Sequence, residues 1–423
     1  MKLIHPATLQ CTAMGQIHQH QFANGLWLLA EQIENAQSLA MSWQVASGVA
    51  AEPADQQGVA ALLAEMICRG AGDLDARGHS DALDHLGVQR GTSVETEHLR
   101  LGATMIGTKF SEALPLLTDM VRRPRLAKSV LEPSRDLALQ SVAALEDEPQ
   151  QKVFLELKQR HFPDPFGRSP LGVKEHLGSI SLDQVQTHRG NTFVPAGSAL
   201  GCAGRFDWPQ LVDGLERQLG DWQGAEVDAS PPATASRGYL HDSAETSQVH
   251  IGLMYDALPE SDGRSILWRA AAAVLSGGMS GRLFTEVREK RGLCYAVYAA
   301  YAGHRDRGAI ISYAGTSVPR AQETLDVLIG EHLRLSEGIE ADEFERAIVG
   351  MKSRLVMQGE STAARARAIA IDQFIYGHPR SLSDMTAEVD AVTLDDLRQF
   401  VAANPPGPMT IVTIGPNALK VNG

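Results

Sequence analysis

"DPFGRSPLGVKEHLGSISLDQVQTHRGNTFVPAGSALGCAG" (164–204) and "FIYGHPRSLSDMTAEVDAVTLDDLRQFVAANPPGPMTIVTIG" (374–415) carry the same succession of signals. An aromatic-Gly turn comes first, Phe166-Gly167 in one and Tyr376-Gly377 in the other. "SLDQV" and "TLDDL" follow as helix starts, with Ser181 and Thr393 as N-caps. Each helix leads into a small-residue strand that ends in glycine, Gly204 or Gly415. The offset is about 211 residues, half the chain.

The match extends upstream. "SLAMSWQVASGVAAEPADQQGVAALLAEM" and "SQVHIGLMYDALPESDGRSILWRAAAAVL" both read as a strand, an acidic loop and an alanine-rich helix. The chain is therefore expected to be two homologous halves, 1–225 and 239–423. They would be joined by the Pro/Ala/Ser/Thr-rich stretch 226–238, "EVDASPPATASRG". Within the first half, "GLWLLAEQI", "SLAMSWQVAS" and "LRLGATMIG" alternate as strands. "FSEALPLLTDMVRRP" and "EPSRDLALQSVAALEDEP" have helical period and each is closed by a proline. Strand runs flanked by helix pairs predict an α+β fold, each half an antiparallel sheet with helices packed on one face.

The bulk numbers exclude several classes. A chain of 423 residues with 43% hydrophobic and 21% charged residues is a globular protein of more than one core. The net charge of −13 would repel phosphate backbones, which argues against nucleic acid as a partner. The four cysteines, Cys11, Cys68, Cys202 and Cys294, are far apart and form no Cys-x-x-Cys pair. "MKLIHPATLQ" holds no apolar run of signal-peptide length, and no stretch is long and apolar enough for a bilayer. The expectation is a cytoplasmic protein with no membrane contact. Walker, Gly-x-Gly-x-x-Gly and Gly-x-Ser-x-Gly motifs are absent from the sequence.

Two segments carry the functional signal. In "GVAALLAEMICRGAG" (58–72), Val59, Leu62, Leu63 and Met66 make one apolar helix face. The neighbouring line, Ala61, Ala64 and Glu65, has the spacing that metallopeptidase helices give to two histidines and a glutamate. In "GGMSGRLFTEVREKRGLCYAVYAAY" (277–301), a helix runs to about Lys290 and Gly292 ends it. The strand "LCYAVYAAY" follows, with Tyr295 and Tyr301 expected on one face and Tyr298 on the other. The turn can bring Arg288 and Tyr295 into one cleft, where together they would hold a peptide carbonyl and stabilise its oxyanion. The alternative is an Arg288 paired with Glu286 or Glu289 beside a packed tyrosine.

The phrase "SGRLFTEVREKRGLCYAV", together with the two-half layout, resembles the pitrilysin/insulinase family of zinc metallopeptidases. It is most similar to the bacterial two-domain subgroup related to mitochondrial processing peptidase. The resemblance spans about residues 15 to 415 and includes the "GxAxxLxxM" frame at 58–66. It implies that Arg288 and Tyr295 close over a zinc site. It also implies a His-x-x-Glu-His motif, with a further Glu ligand about 75 residues on. Here those positions fall on Ala61 for the first histidine, Ala64 for the base, Glu65 for the second histidine and Ser141 for the distant ligand. Alanine has no lone pair, so this chain is expected to bind no metal. The pairs His18/His20 and His79/His85 have neither a third ligand nor a base at useful spacing.

The resemblance therefore implies a subunit inactive alone, lending Arg288 and Tyr295 to the zinc site of a zinc-bearing homologous partner in a heterodimeric metalloendopeptidase. Peptide substrates would bind by strand addition along "RGTSVE", with Arg90, Gly91, Thr92 and Ser93 at the substrate edge. The competing expectation is a catalytically inactive peptide-binding or scaffold protein of the same fold, possible as a homodimer.

Overall fold

The computed structural model describes residues 16–224 and 233–421. The leading segment and residues 226–232 of the expected join lie outside it. Two sheets organise the chain. The first has the order Ile17–Gln21, Trp27–Gln32, Ala199–Gly204, Ser38–Val45, Leu99–Ile106, Gln89–Val94. The second has the order Cys294–Gly303, Gly308–Ser317, Gln248–Ala257, Thr410–Gly415, Tyr239–Ser243. Neighbours are antiparallel except one parallel pair in each sheet, Trp27–Gln32 with Ala199–Gly204 and Thr410–Gly415 with Tyr239–Ser243. In both sheets the small-residue strand of the repeat, Ala199–Gly204 or Thr410–Gly415, belongs to that parallel pair.

The α+β architecture read from the repeat is the one observed. Leu39, Met41, Trp43 and Val45 alternate into a core shared with Val59, Leu62, Leu63 and Met66 of the helix Val59–Met66. In the second half Val249, Ile251, Leu253 and Tyr255 do the same against the helix Ser265–Ser276. Ser181 Oγ accepts the Gln184 N–H at 3.2 Å, and Thr393 Oγ1 accepts that of Asp396 at 3.1 Å. Both caps thus form where the repeat places them, each worth about 1 kcal/mol. The helix expected to start near Glu132 begins at Lys128 instead, with Pro133 inside it.

Each sheet also carries a second layer that the sequence did not announce. The helix Thr362–Tyr376 of the second half packs on Ala199–Gly204 and Ser38–Val45 of the first sheet. Reciprocally, Pro149–His161 of the first half packs on Gln248–Ala257 and Thr410–Gly415 of the second. Val153 and Leu157 bury there with Met254, Tyr313, Val412 and Ile414. Close approach requires glycine beneath both helices. A Cβ on Gly201 would collide with the Ala366 carbonyl, and one on Gly252 with the side chains of Val153 and Leu157. Gly201→Val is therefore expected to cost about 1–3 kcal/mol or more, because the obstruction is backbone and cannot rotate away. A thermal melt lowered by several degrees checks it.

The exchanged helices are also held by polar contacts, an ion pair on one and a neutral histidine on the other. Arg365 Nε meets Glu31 Oε2 at 2.6 Å, with side chains 2% and 4% exposed. On the other exchanged helix, His161 Nδ1 lies 3.0 Å from Thr410 Oγ1 and Nε2 lies 3.2 Å from Asp256.

Candidate functional site

The segment around Arg288 departs from an ordinary helix. Phe284–Glu289 is a π-helix, a wider turn that recurs at functional positions. Gly292, at φ +60°, closes it, and its N–H donates to the Arg288 carbonyl at 3.0 Å. Arg288 is exposed and its guanidinium lies 5.0 Å from the centroid of the Phe284 ring. Among the described residues it makes no ion pair. The carboxylate that would neutralise it, Glu286, is held at 2.7 Å by both Lys290 and Arg291. The arginine stays available because its two basic neighbours occupy the nearby acid.

Tyr295 sits where the following strand is irregular. Cys294 pairs with Thr316 but Ala296 pairs with Gly315, so Tyr295 is the extra residue of a β-bulge. The bulge overturns the expected alternation. Tyr295 lies over Gly315 on the face of Tyr313 and Tyr298, while Tyr301 packs in the opposite core. Its hydroxyl donates to Gln248 Oε1, and Tyr313 in turn meets His250 Nδ1 at 2.7 Å. Burial holds the Tyr295 phenol above the ordinary tyrosine value, so it is a protonated donor at neutral pH. Its side chain remains 46% exposed. No hydrogen bond joins Arg288 to Tyr295 among the described residues. What connects them is the single glycine-closed turn between helix and strand.

The positions where the resemblance expects zinc ligands offer few donors. Ala61 and Ala64 present methyl groups, and Ala64 is buried. Glu65 Oε1 is bound by Arg69 at 2.6 Å, and Ser141 Oγ donates to the Leu137 carbonyl of its own helix at 3.0 Å. The helices bearing these positions, Val59–Met66 and Lys128–Ala144, still pack together. Zinc does not fit this donor set. Among the described residues no group of three His, Cys, Asp or Glu could hold a metal ion. His18 stacks on Trp208 at 4.9 Å, His20 meets Phe22 edge-on, His79 is buried against the Leu116 carbonyl, and His85 bonds the Asp81 carbonyl.

Arg90, Gly91, Thr92 and Ser93 lie on Gln89–Val94, an edge strand that among the described residues pairs only with Leu99–Ile106. Thr92 Oγ1 donates to the Ala64 carbonyl at 3.1 Å and Arg90 to the Cys68 carbonyl at 3.3 Å. These two side chains fasten the edge strand to the helix Val59–Met66 and to the turn that follows it. Ser93 Oγ accepts from Arg100 at 3.1 Å, and a Cβ on Gly91 would meet nothing within 4 Å.

Sequence reasoning missed Glu52, whose Oε1 accepts from Gly58 at 3.0 Å and Ala60 at 2.9 Å at the start of the degenerate helix. Burial pushes its carboxyl up to about 7, against the pull of those two N–H groups and of Arg168. A carboxyl raised in this way from 4.5 adds stability below pH about 4.5, and that contribution is lost as the pH rises to about 7. Glu52→Gln is accordingly expected to gain stability relative to the parent between pH 5 and 8, read by urea denaturation across that range.

Two profiles match the chain: residues 28–172 fit "Insulinase (Peptidase family M16)" and residues 179–351 fit "Peptidase M16 inactive domain". The chain belongs to the insulinase, or M16, family. A Streptomyces coelicolor relative, named as an uncharacterized zinc protease, is 25% identical over 91% of this chain and 86% of its own length. The Bacillus subtilis zinc protease YmxG, also uncharacterized, is 24% identical over 90% of this chain and 93% of its own. The crystal structure of a peptidase M16 inactive domain from Pseudomonas fluorescens superposes with a TM-score of 0.85. It has 20% identity and covers 96% of this chain and 99% of that one. No helix among the described residues is long and apolar enough to cross a membrane.

Proposed function

We propose that this M16 chain is the non-zinc subunit of a paired metallopeptidase and lends Arg288 and Tyr295 to a partner's zinc site. The observation that carries the reading is the contrast between the halves. Ala61 and Ala64 offer no metal ligand, while Arg288 remains exposed and, among the described residues, without an ion pair, beside an acid already occupied by Lys290 and Arg291. Side chains with only a packing role have no need of that arrangement.

The chain's own share of the chemistry is binding and orientation. Peptide adds along the free edge of Gln89–Val94, its backbone reaching strand hydrogen-bonding groups beside the open face of Gly91. The Tyr295 hydroxyl, now donating to Gln248, turns to the substrate carbonyl oxygen as charge develops on it. Arg288 supplies a second, charged donor to the same oxygen. The attacking water and the metal belong to the partner.

Metal content and stoichiometry test the pairing. Mixed with a homologue bearing His-x-x-Glu-His, the chain is expected to elute as a one-to-one complex holding one zinc per pair, with none in this chain purified alone. Stoichiometric zinc in the lone chain, or two species that never associate, would refute the reading. A stable homodimer indifferent to the homologue would favour the scaffold alternative.

A further inference from the structure

A cavity of 590 Å³ opens between the two halves where the exchanged helices approach each other. Lys158 enters it from Pro149–His161 and Arg367 from Thr362–Tyr376, so each crossed helix contributes one cation. Arg100 and Arg305 add two more, against the carboxylates of Glu95 and Glu97. Arg168 also reaches the wall, but its guanidinium is committed to Asp164 and to the Val49 and Glu52 carbonyls.

The charge does not balance within the cavity. Glu95 is held by Arg367 at 2.6 Å and lies 3.9 Å from Arg100. Lys158 is half-buried and, among the described residues, has neither an ion pair nor a hydrogen bond for its ammonium. Burial lowers its pKa, with only the field of Glu95 opposing. His98, tilted against the Phe374 ring at 3.9 Å between centroids, and His304 are held neutral by burial down to about 4, so they neither add to nor cancel the cations at neutral pH. A second vacancy for a partner stands in the same wall. Gln44 is 1% exposed, its Nε2 donates to Ser42 Oγ at 3.3 Å, and among the described residues its Oε1 has no partner. Because Ser42 can donate as well as accept, a turned amide would present its NH₂ group to a ligand.

We propose that this cavity is a binding site for a carboxylate, received by the Lys158 ammonium, Arg100 and the Gln44 amide. The apolar side chains of Ile371 and Phe374 line the same space and suit the methylenes that carry such a group. Ser93 and Val94 end the edge strand and line the cavity at once. A peptide paired along that strand therefore runs past the opening, and an acidic side chain just beyond its paired segment is the source that the geometry favours. That last step rests on the strand-addition reading above; the site itself does not.

Calorimetry on the full chain with glutarate, and with glutaramide as the uncharged control, tests the site without any partner or activity. Glutarate alone is expected to bind, about tenfold or more weaker in Lys158→Met and restored in Lys158→Arg. Equal binding of glutarate and glutaramide, no binding of either, or unchanged affinity in a Lys158→Met chain with the parent's melting curve would overturn it. Anisotropy with a labelled extended peptide carrying one Glu, or Gln in its place, identifies the source. A preference for Glu that vanishes in Lys158→Met supports the peptide side chain. Glutarate binding with no such preference overturns that source and leaves the site. Glutarate binding with neither peptide bound defeats strand addition instead.

Discussion

Arg288→Ala in the reconstituted pair is expected to lower kcat about 10²–10³-fold, and Tyr295→Phe to act on the same scale. In the proposed role both would remove a donor that acts on the oxyanion more than on the ground-state carbonyl, so kcat is expected to fall further than KM rises. Neither change should disturb the fold. Arg288 is exposed with only the Phe284 ring beneath it, and Tyr295 keeps 46% of its surface in solvent on a bulge. Steady-state kinetics with a quenched peptide, set beside the zinc content of each mixture, separates lost chemistry from lost assembly. Retained zinc with lost turnover is the expected pattern. Turnover within a factor of two of the parent would remove both residues from the chemistry.

Glu31→Ala is expected to destabilise the chain by about 3–5 kcal/mol. The pair it breaks is 2% and 4% exposed and lies between the first sheet and the helix lent by the second half. Once Glu31 is gone, the Arg365 guanidinium keeps its contact to the Arg380 carbonyl at 3.0 Å but has lost its counter-charge. Burial pushes the Glu31 carboxyl up while Arg365 pulls it down, the two opposing effects of a buried ion pair. The double substitution Glu31→Leu with Arg365→Met removes both charges and should recover most of the loss. Urea denaturation of the three variants reads the difference; a single substitution as stable as the double would show the pair to be idle.

The sequence reaches a definite depth here. The repeat exposes the two sheets because its caps and strand-ending glycines are local chemistry, and Ser181 and Thr393 cap as their neighbours dictate. The residues that stand where the resemblance expects zinc ligands are legible for the same reason, being a matter of identity at Ala61 and Ala64. The exchange of helices is not. Val153 and Leu157 reveal an apolar face on Pro149–His161 but carry no information about which sheet covers it. The face of Tyr295 is hidden too, because one extra residue in a ladder moves a side chain across the sheet without changing the alternating pattern of residue types. The freedom of Arg288 depended on whether Glu286 would choose Lys290 and Arg291, a competition among three cations within one turn.

In the proposed pair, two incomplete sites make one complete enzyme. The most direct test is peptide hydrolysis by this chain alone, by a homologue carrying His-x-x-Glu-His but no Arg/Tyr pair, and by their one-to-one mixture. Turnover is expected in the mixture only. Hydrolysis by this chain alone, or a mixture no faster than the homologue by itself, would contradict it.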